Sequence, residues 1–144
     1  MKPTHYALDL HIDPDKPEFS GSAAIDVTFS APRSVLWVHG LDLKVKSTSL
    51  KVGAEVLPLK WEQVNDDGVV KLVLPHPVGP GPATLEVSWT HAFDPRLVGL
   101  YLASEGGHAY AYTQFEDICA RRAFPGFDEP AFKTPFDVTL EVPA

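Results

Sequence analysis

The amino-acid sequence predicts a mostly β fold, either an antiparallel β-sandwich or a saddle-like curved sheet. Apolar and polar residues alternate along most of the chain, which is the period of a half-buried strand. Turn signals rich in proline, glycine and aspartate separate these runs at intervals of about 8 to 12 residues. The 144 residues are close to the length of one ordinary domain, so we expect a single domain over residues 1–144.

The predicted strands follow from local patterns. Residues 4–12 alternate between apolar and polar side chains, and after a turn at 13–17 a longer run, 19–29, does the same. The tract 75–82 contains four prolines and two glycines and is predicted to be a loop. The remaining predicted strands are at residues 35–38, 41–45, 52–61, 69–74, 83–89, 110–114 and 136–142.

One short helix is predicted, near residues 117–124. Asp117 is suited to cap its start, and Pro125 would end it. Arg121 and Arg122 suit the negative C-terminal end of a helix. We therefore expect one or two helical turns in an otherwise β domain.

Composition and charge exclude several classes of protein. The net charge of −7, from 12 basic and 19 acidic residues, argues against a nucleic-acid-binding protein, because such a surface repels phosphates. The single cysteine, Cys119, excludes an internal disulfide and a multi-thiolate zinc site. No apolar run approaches the roughly 20 residues of a membrane span, and residues 1–5 lead into a strand rather than an export signal. We predict a cytoplasmic protein that binds neither nucleic acid nor membrane.

Patterns typical of catalytic and metal sites are missing from the sequence. A hydrolytic zinc site needs two histidines four residues apart on a helix with a glutamate beside the first. The six histidines are instead scattered through predicted strands and loops. His5, Asp9 and His11 share one strand face, which we interpret as a solvated surface rather than a metal site. No nucleophile elbow or phosphate-binding glycine loop is present, so we predict no catalytic residue and no metal ligand in this chain.

Residues 112–130 carry a dense mixture of charged and aromatic side chains, which is typical of a site. Gln114 and Glu116 are predicted on one face of a strand, with Phe115 pointing the other way into the core. A partly desolvated carboxylate there could bind a cationic group through charge-assisted hydrogen bonds. The sequence therefore proposes Gln114 and Glu116 as binding residues.

A purely structural interpretation of the same segment stays open. Acidic side chains near two consecutive arginines are expected to form ordinary ion pairs. The residues concerned are Glu116, Asp117, Asp128 and Glu129 on the acidic side and Arg121 and Arg122 on the basic side.

These residues also resemble a known family. The motifs are Thr-Gln-Phe-Glu at 113–116, Ala-Arg-Arg-Ala-Phe-Pro at 120–125 and Phe-Asp-Glu-Pro-Ala-Phe-Lys at 127–133. Together they resemble the signature in the N-terminal domain of the gluzincin zinc aminopeptidases, the aminopeptidase N type. Weaker similarity at residues 6–10, 19–21 and 39–43 extends the resemblance over nearly the whole chain.

The resemblance implies a saddle-like β domain that lies against a thermolysin-like catalytic domain. It implies that Glu116 binds the free α-amino group of a peptide together with a glutamate of the catalytic domain. Gln114 is implied to line the pocket for the first side chain. The group containing Arg121 and Asp128 is implied to be scaffold, and Gly126 stands where many relatives carry cysteine, which we interpret as a packing difference.

The resemblance also implies what lies outside this chain. The family's Gly-x-Met-Glu-Asn loop and His-Glu-x-x-His helix come after the position of Ala144, so zinc belongs to the intact parent enzyme and this chain should bind none. We expect an N-terminal fragment, cut inside its own domain and inactive alone. Its last strand is then expected to present an open edge to which a second copy can pair.

Two other functions remain as alternatives. The first is a non-catalytic β-sandwich module for protein interaction or scaffolding. The second, carbohydrate binding through Trp37, Trp61 and Trp89, is the weaker of the two, because all three are predicted to lie in strands and to pack in the core.

Overall fold

A computed structural model describes residues 1–143 and places eleven strands and one 3-10 helix among them. The predicted mostly β fold class is confirmed. The strands are β1 (Lys2–His11), β2 (Glu18–Phe29), β3 (Arg33–His39), β4 (Lys44–Val52), β5 (Glu55–Pro58), β6 (Glu62–Gln63), β7 (Val69–Val78), β8 (Gly81–Ala92), β9 (Gly99–Glu105), β10 (His108–Gln114) and β11 (Phe136–Glu141). The 3-10 helix is Cys119–Arg122.

The strands of the described chain form three sheets. The large sheet has six strands in the order β11-β1-β2-β8-β4-β5, and smaller sheets are formed by β3-β7-β6 and by the β9–β10 hairpin. All neighbouring strands are antiparallel except β1 and β11, which run parallel. A parallel neighbour needs a long connection, and here β11 joins an edge strand whose sequence lies more than a hundred residues earlier.

One hydrophobic cluster combines the inward-facing residues of the large and the three-stranded sheets. The period-two pattern places every second side chain on the buried face, as the sequence predicts. Burying an aliphatic side chain of this kind stabilises the fold by about 1.5 to 3 kcal/mol. Its fully buried members include Ile25, Leu50 and Leu85 from the large sheet and Leu36, Val70 and Leu72 from the smaller one.

Several predicted boundaries are wrong: the strand predicted at 41–45 is β4 at Lys44–Val52, and β9 has no counterpart among the predicted strands. The predicted strand 52–61 is split, because Gly53 turns the chain at a φ of 59° between β4 and β5. The predicted loop 75–82 is mostly strand, since β7 continues to Val78 and β8 starts at Gly81. Pro75 and Pro77 are tolerated in β7 because β6 pairs only with its start and the register with β3 is interrupted between Val73 and Val78, so this stretch has no regular ladder to complete.

The tryptophans do not share one environment. Trp89 is 1% exposed, and its Nε1 donates a hydrogen bond to the carbonyl of Ala123 over 3.1 Å. Trp61 is half-buried and lies outside the strands. Trp37 is 51% exposed, because its neighbours Leu36 and Val38 occupy the inward positions of β3. The expectation of core packing is therefore confirmed for Trp89 and wrong for Trp37.

The predicted helix is present but shorter. It is a 3-10 helix of four residues, its N-cap is Ile118, and no side chain caps it, so the predicted cap at Asp117 is wrong. The chain instead enters it through a turn in which the Cys119 N–H donates to the carbonyl of Phe115 over 2.8 Å. No helix among residues 1–143 is long and apolar enough to cross a membrane.

Candidate functional site

The β9–β10 hairpin carries the first of the predicted site residues. Gly106 and Gly107 have φ values of 59° and 85°, which glycine adopts without strain, and they form its tight turn. The register then places Gln114 opposite Gly99 at the far end of the hairpin. One face packs inward through Leu100, which is 3% exposed. The opposite face bears Tyr101, Tyr110, Tyr112 and Gln114.

Glu116 lies just beyond this hairpin. Strand β10 ends at Gln114, so the prediction that Gln114 and Glu116 share one strand face is wrong. Glu116 instead occupies the turn that leads to the 3-10 helix. Both side chains are exposed, whereas Phe115 between them turns inward and packs edge-on against Phe124, with 5.7 Å between ring centroids. The inward direction predicted for Phe115 is therefore confirmed.

The arginines of the 3-10 helix choose other partners than Glu116. Arg121 pairs with Asp128 over 2.8 Å, and Arg122 with Asp94 over 3.4 Å. Within the described residues, neither Glu116 nor Asp117 takes part in an ion pair or a side-chain hydrogen bond. The expected pairing of an arginine with Asp128 is confirmed, and the pairing of Glu116 or Asp117 with these arginines is wrong, because their turn directs both carboxylates to solvent.

Arg121 is the buried centre of a partly buried polar cluster. Only 8% of its side chain is exposed, and it donates to Asp128 and, over 2.7 Å, to the carbonyl of Asp67. The Asp128 N–H in turn donates to Nδ1 of His39 over 3.1 Å. Burial, reinforced by the charge of Arg121, lowers the pKa of His39. These contacts join three distant segments, as expected of a scaffold, and a nearby cavity of about 330 Å³ has neither Gln114 nor Glu116 in its wall.

Asp94 is a buried charge that sequence reasoning missed. Its side chain is 4% exposed and accepts hydrogen bonds from Arg96 and Arg122. The hydrogen bond from Arg96, and to a lesser degree the charges of Arg96 and Arg122, lower the pKa of this carboxyl. The Asp94-Pro95 step signals a turn. Nothing in the spacing of the sequence indicates that Arg122, 28 residues away, completes the pair.

Comparison with known families decides what kind of domain this is. The peptidase M1 N-terminal domain family matches residues 2–144. The chain belongs to this family. The resemblance inferred from the motifs at 113–133 is thereby confirmed.

Several curated aminopeptidases are similar to this M1 domain over almost all of its length. Aminopeptidase M1-B of Oryza sativa subsp. japonica is 35% identical over 99% of the chain, and puromycin-sensitive aminopeptidase of Caenorhabditis elegans is 35% identical over 98%. Endoplasmic reticulum aminopeptidase 1 of Rattus norvegicus is 31% identical over 98%. The chain spans only 16 to 17% of the length of these relatives, so it corresponds to their N-terminal domain.

The M1 domain shows no metal site in its described part. No group of three His, Cys, Asp or Glu side chains within residues 1–143 is arranged to hold a metal ion. On the strand face that carries His5, Asp9 and His11, His5 pairs with Asp137 over 3.0 Å and His11 with Glu141 over 3.1 Å. Both histidines therefore connect β1 to β11.

Proposed function

We propose that this M1 domain is part of a zinc-dependent aminopeptidase and provides the carboxylate that holds the free α-amine of a peptide substrate. The observation that carries the proposal is the state of Glu116. Its side chain is exposed in the turn after β10, at the end of the hairpin where Leu100 is buried, and no cation among residues 1–143 neutralises it. An unpaired carboxylate is suited to bind an ammonium group.

The chemistry of such an anchor explains selectivity for peptide N-termini. An ammonium held between Glu116 and a glutamate of the catalytic domain positions the first peptide bond and converts binding energy into orientation. Gln114, at the end of β10, would line the pocket for the first side chain. In the parent enzyme, zinc bound outside this chain would activate water and polarise the scissile carbonyl. This domain would not hydrolyse peptides alone.

The proposal assigns two partners to the domain. One is the catalytic domain of the same polypeptide, against which the Glu116 end of the hairpin would lie. The other is a second copy, which would pair with β11 along the edge that has no neighbouring strand among residues 1–143. A cytoplasmic location belongs to the same proposal, and imaging a fluorescently tagged full-length protein tests it, since one relative is named for the endoplasmic reticulum.

Replacing Glu116 tests the anchor role. In the full-length protein, Glu116→Ala is expected to lower kcat/KM on an aminoacyl arylamide by the equivalent of about 2 to 5 kcal/mol, because a buried substrate charge loses its partner. Glu105→Ala is the matched control, since Glu105 is an exposed acid at the other end of the same hairpin. A Glu116→Ala enzyme with near-normal kcat/KM would contradict the anchor role.

The alternative function is a non-catalytic interaction or scaffold module. The coding sequence downstream of residue 144 distinguishes it from the proposed aminopeptidase. Translation of the coding sequence downstream of residue 144 is expected to reveal His-Glu-x-x-His and a further glutamate ligand about two helical turns or more beyond it. A downstream domain without these ligands would instead support the scaffold.

A further inference from the structure

We propose that Asp94 is a positioning residue for Glu116, the proposed amine anchor. Among the described residues, it alone is hydrogen-bonded through its main chain to the hairpin that precedes Glu116 and through its side chain to the 3-10 helix that follows Glu116. This inference rests on the proposed function of Glu116. Asp94 lies between β8 and β9, shortly before the hairpin and 28 residues before Arg122. It contributes no atom to the exposed anchor itself.

The main chain of Asp94 connects to the hairpin. Its N–H donates to the carbonyl of Leu100 over 2.9 Å, next to the start of β9. The adjacent residue of β9, Gly99, is the register partner of Gln114. The start of β9 and Gln114, the last residue before the turn that contains Glu116 (the anchor turn), are thus held to the loop between β8 and β9 that contains Asp94 (the Asp94 loop).

The side chain of Asp94 connects to the 3-10 helix. Its Oδ2 accepts a hydrogen bond from Arg122 over 3.4 Å, and the helix in turn closes the anchor turn through the hydrogen bond from Cys119 to the Phe115 carbonyl. Glu116 lies inside that turn. Its backbone is therefore held from both directions by contacts that lead to Asp94.

The main-chain and side-chain connections of Asp94 meet at Gly99 and Arg122, where the start of β9 packs directly against the 3-10 helix. Gly99 has a φ of 66°, and a Cβ placed on it would lie 2.8 Å from the Cβ of Arg122. Because this contact is so close, a shift of Arg122 would be transmitted to the end of the hairpin. Packed elements of this kind move together rather than deform continuously.

Among residues 1–143, Asp94 is the only acidic side chain that forms an ion pair with Arg122. The carboxylate is nearly inaccessible, and Arg122 is only 19% exposed, so their hydrogen bond is weakly screened. Arg96 occupies the other lone pairs of the carboxylate from the solvent side. An asparagine would keep the shape of Asp94 but leave Arg122 without its counter-charge.

The test is Asp94→Asn in the full-length protein. Displacing the anchor is expected to lower kcat/KM on an aminoacyl arylamide about 10- to 100-fold. In a Glu116→Ala background the same change is expected to have less than about a twofold effect, because the group that Asp94 positions is then gone. Glu86→Gln, which breaks the Lys51–Glu86 ion pair on the large sheet, is the control and should leave kcat/KM unchanged.

Each outcome decides between the two proposals. If Glu116→Ala lowers kcat/KM and Asp94→Asn does not, the positioning role is overturned and the anchor stands. An equal loss from Asp94→Asn in both backgrounds would show general destabilisation and also overturn it. Normal activity of Glu116→Ala removes the anchor, and the inference with it. Should Asp94→Asn not accumulate as folded protein, Arg122→Gln, which keeps the Asp94 loop bonds, undergoes the same test.

Discussion

His39 joins two distant segments of the chain through contacts that depend on its protonation state. Its backbone N–H and carbonyl both pair with Gly126, over 2.7 and 2.9 Å, and its Nδ1 accepts the N–H of Asp128. Nδ1 can accept this bond only in the neutral imidazole. The folded state therefore favours neutral His39, in agreement with its lowered pKa, for which burial is the main cause.

We predict that the free energy of unfolding falls as the pH drops below about 6.5. The folded pKa of His39 lies below its ordinary value of 6.5, so the unfolded chain takes up the proton first. The contribution to stability is complete above 6.5 and is lost as the pH falls through the folded pKa. His39→Asn keeps an acceptor but cannot titrate, so urea unfolding between pH 7 and 5 should show a smaller pH dependence.

The exposed His108 provides the control for this prediction. His108→Asn should retain the wild-type pH dependence. His91 also has a pKa lowered by burial, so some dependence should persist in His39→Asn. A pH dependence identical to the wild type in His39→Asn would exclude His39 as a source.

At the scale of the element, the β9–β10 hairpin and the 3-10 helix act as one support for Glu116. The hairpin packs inward through Leu100, and the turn after it is fastened by Phe115 against Phe124. The close contact of Gly99 with Arg122 joins the two elements. Their relative position is therefore set by packing rather than by the helix, which at four residues is too short to be stable by itself.

Gly99→Ala should separate strain from crowding at this contact. A non-glycine residue at positive φ costs about 1 kcal/mol or more, and the added Cβ would also meet Arg122. Gly53→Ala is the matched control, because Gly53 has a similar φ of 59° and no atom within 4 Å of the added Cβ. Chemical denaturation should show a clearly larger loss for Gly99→Ala. Equal losses would mean that the contact with Arg122 yields without cost.

At the scale of the whole molecule, the edge strand β11 leaves backbone groups and apolar side chains uncovered among residues 1–143. Phe136, Val138 and Leu140 pair in register with buried residues of β1 and so continue the core face, yet they are 44 to 57% exposed. In a parallel pair, every second residue of β11 directs its backbone N–H and C=O at β1, and the residues between them direct theirs away from β1. The Ile12 N–H donates to the carbonyl of Glu141, so the backbone groups of these apolar residues face outward.

We predict that the 144-residue chain associates through this edge in a concentration-dependent manner, since an added strand would satisfy the backbone groups and cover the apolar row. Val138→Lys should shift sedimentation velocity profiles towards the monomer. Val56→Lys is the control, because Val56 is equally exposed at 54% but lies on the four-residue β5 at the opposite edge of the sheet. Association that both variants leave unchanged would place the contact elsewhere.

Much of the fold was predictable because strand formation here is a local matter. The alternation at residues 4–12 and 19–29 has the same period as the burial observed along β1 and β2. Errors occur where tertiary pairing overrides composition: the prolines of β7 are tolerated because its far half lacks a second neighbour and its register with β3 is interrupted there. Trp37 is exposed because the alternation along β3 directs Leu36 and Val38 inward. The apolar nature of its side chain does not by itself predict burial.

The sequence by itself determined the β class and the membership in the M1 family, since both depend on residue type and local pattern, and it proposed Gln114 and Glu116 as binding residues. The tertiary structure alone decided which arginine pairs with which acid. Arg122 pairs with Asp94 across 28 residues and Arg121 with Asp128 and the Asp67 carbonyl, leaving Glu116 uncompensated within residues 1–143. Charges are paired by proximity in space, and that proximity is created by the packing of the sheets, hairpin and turn around them.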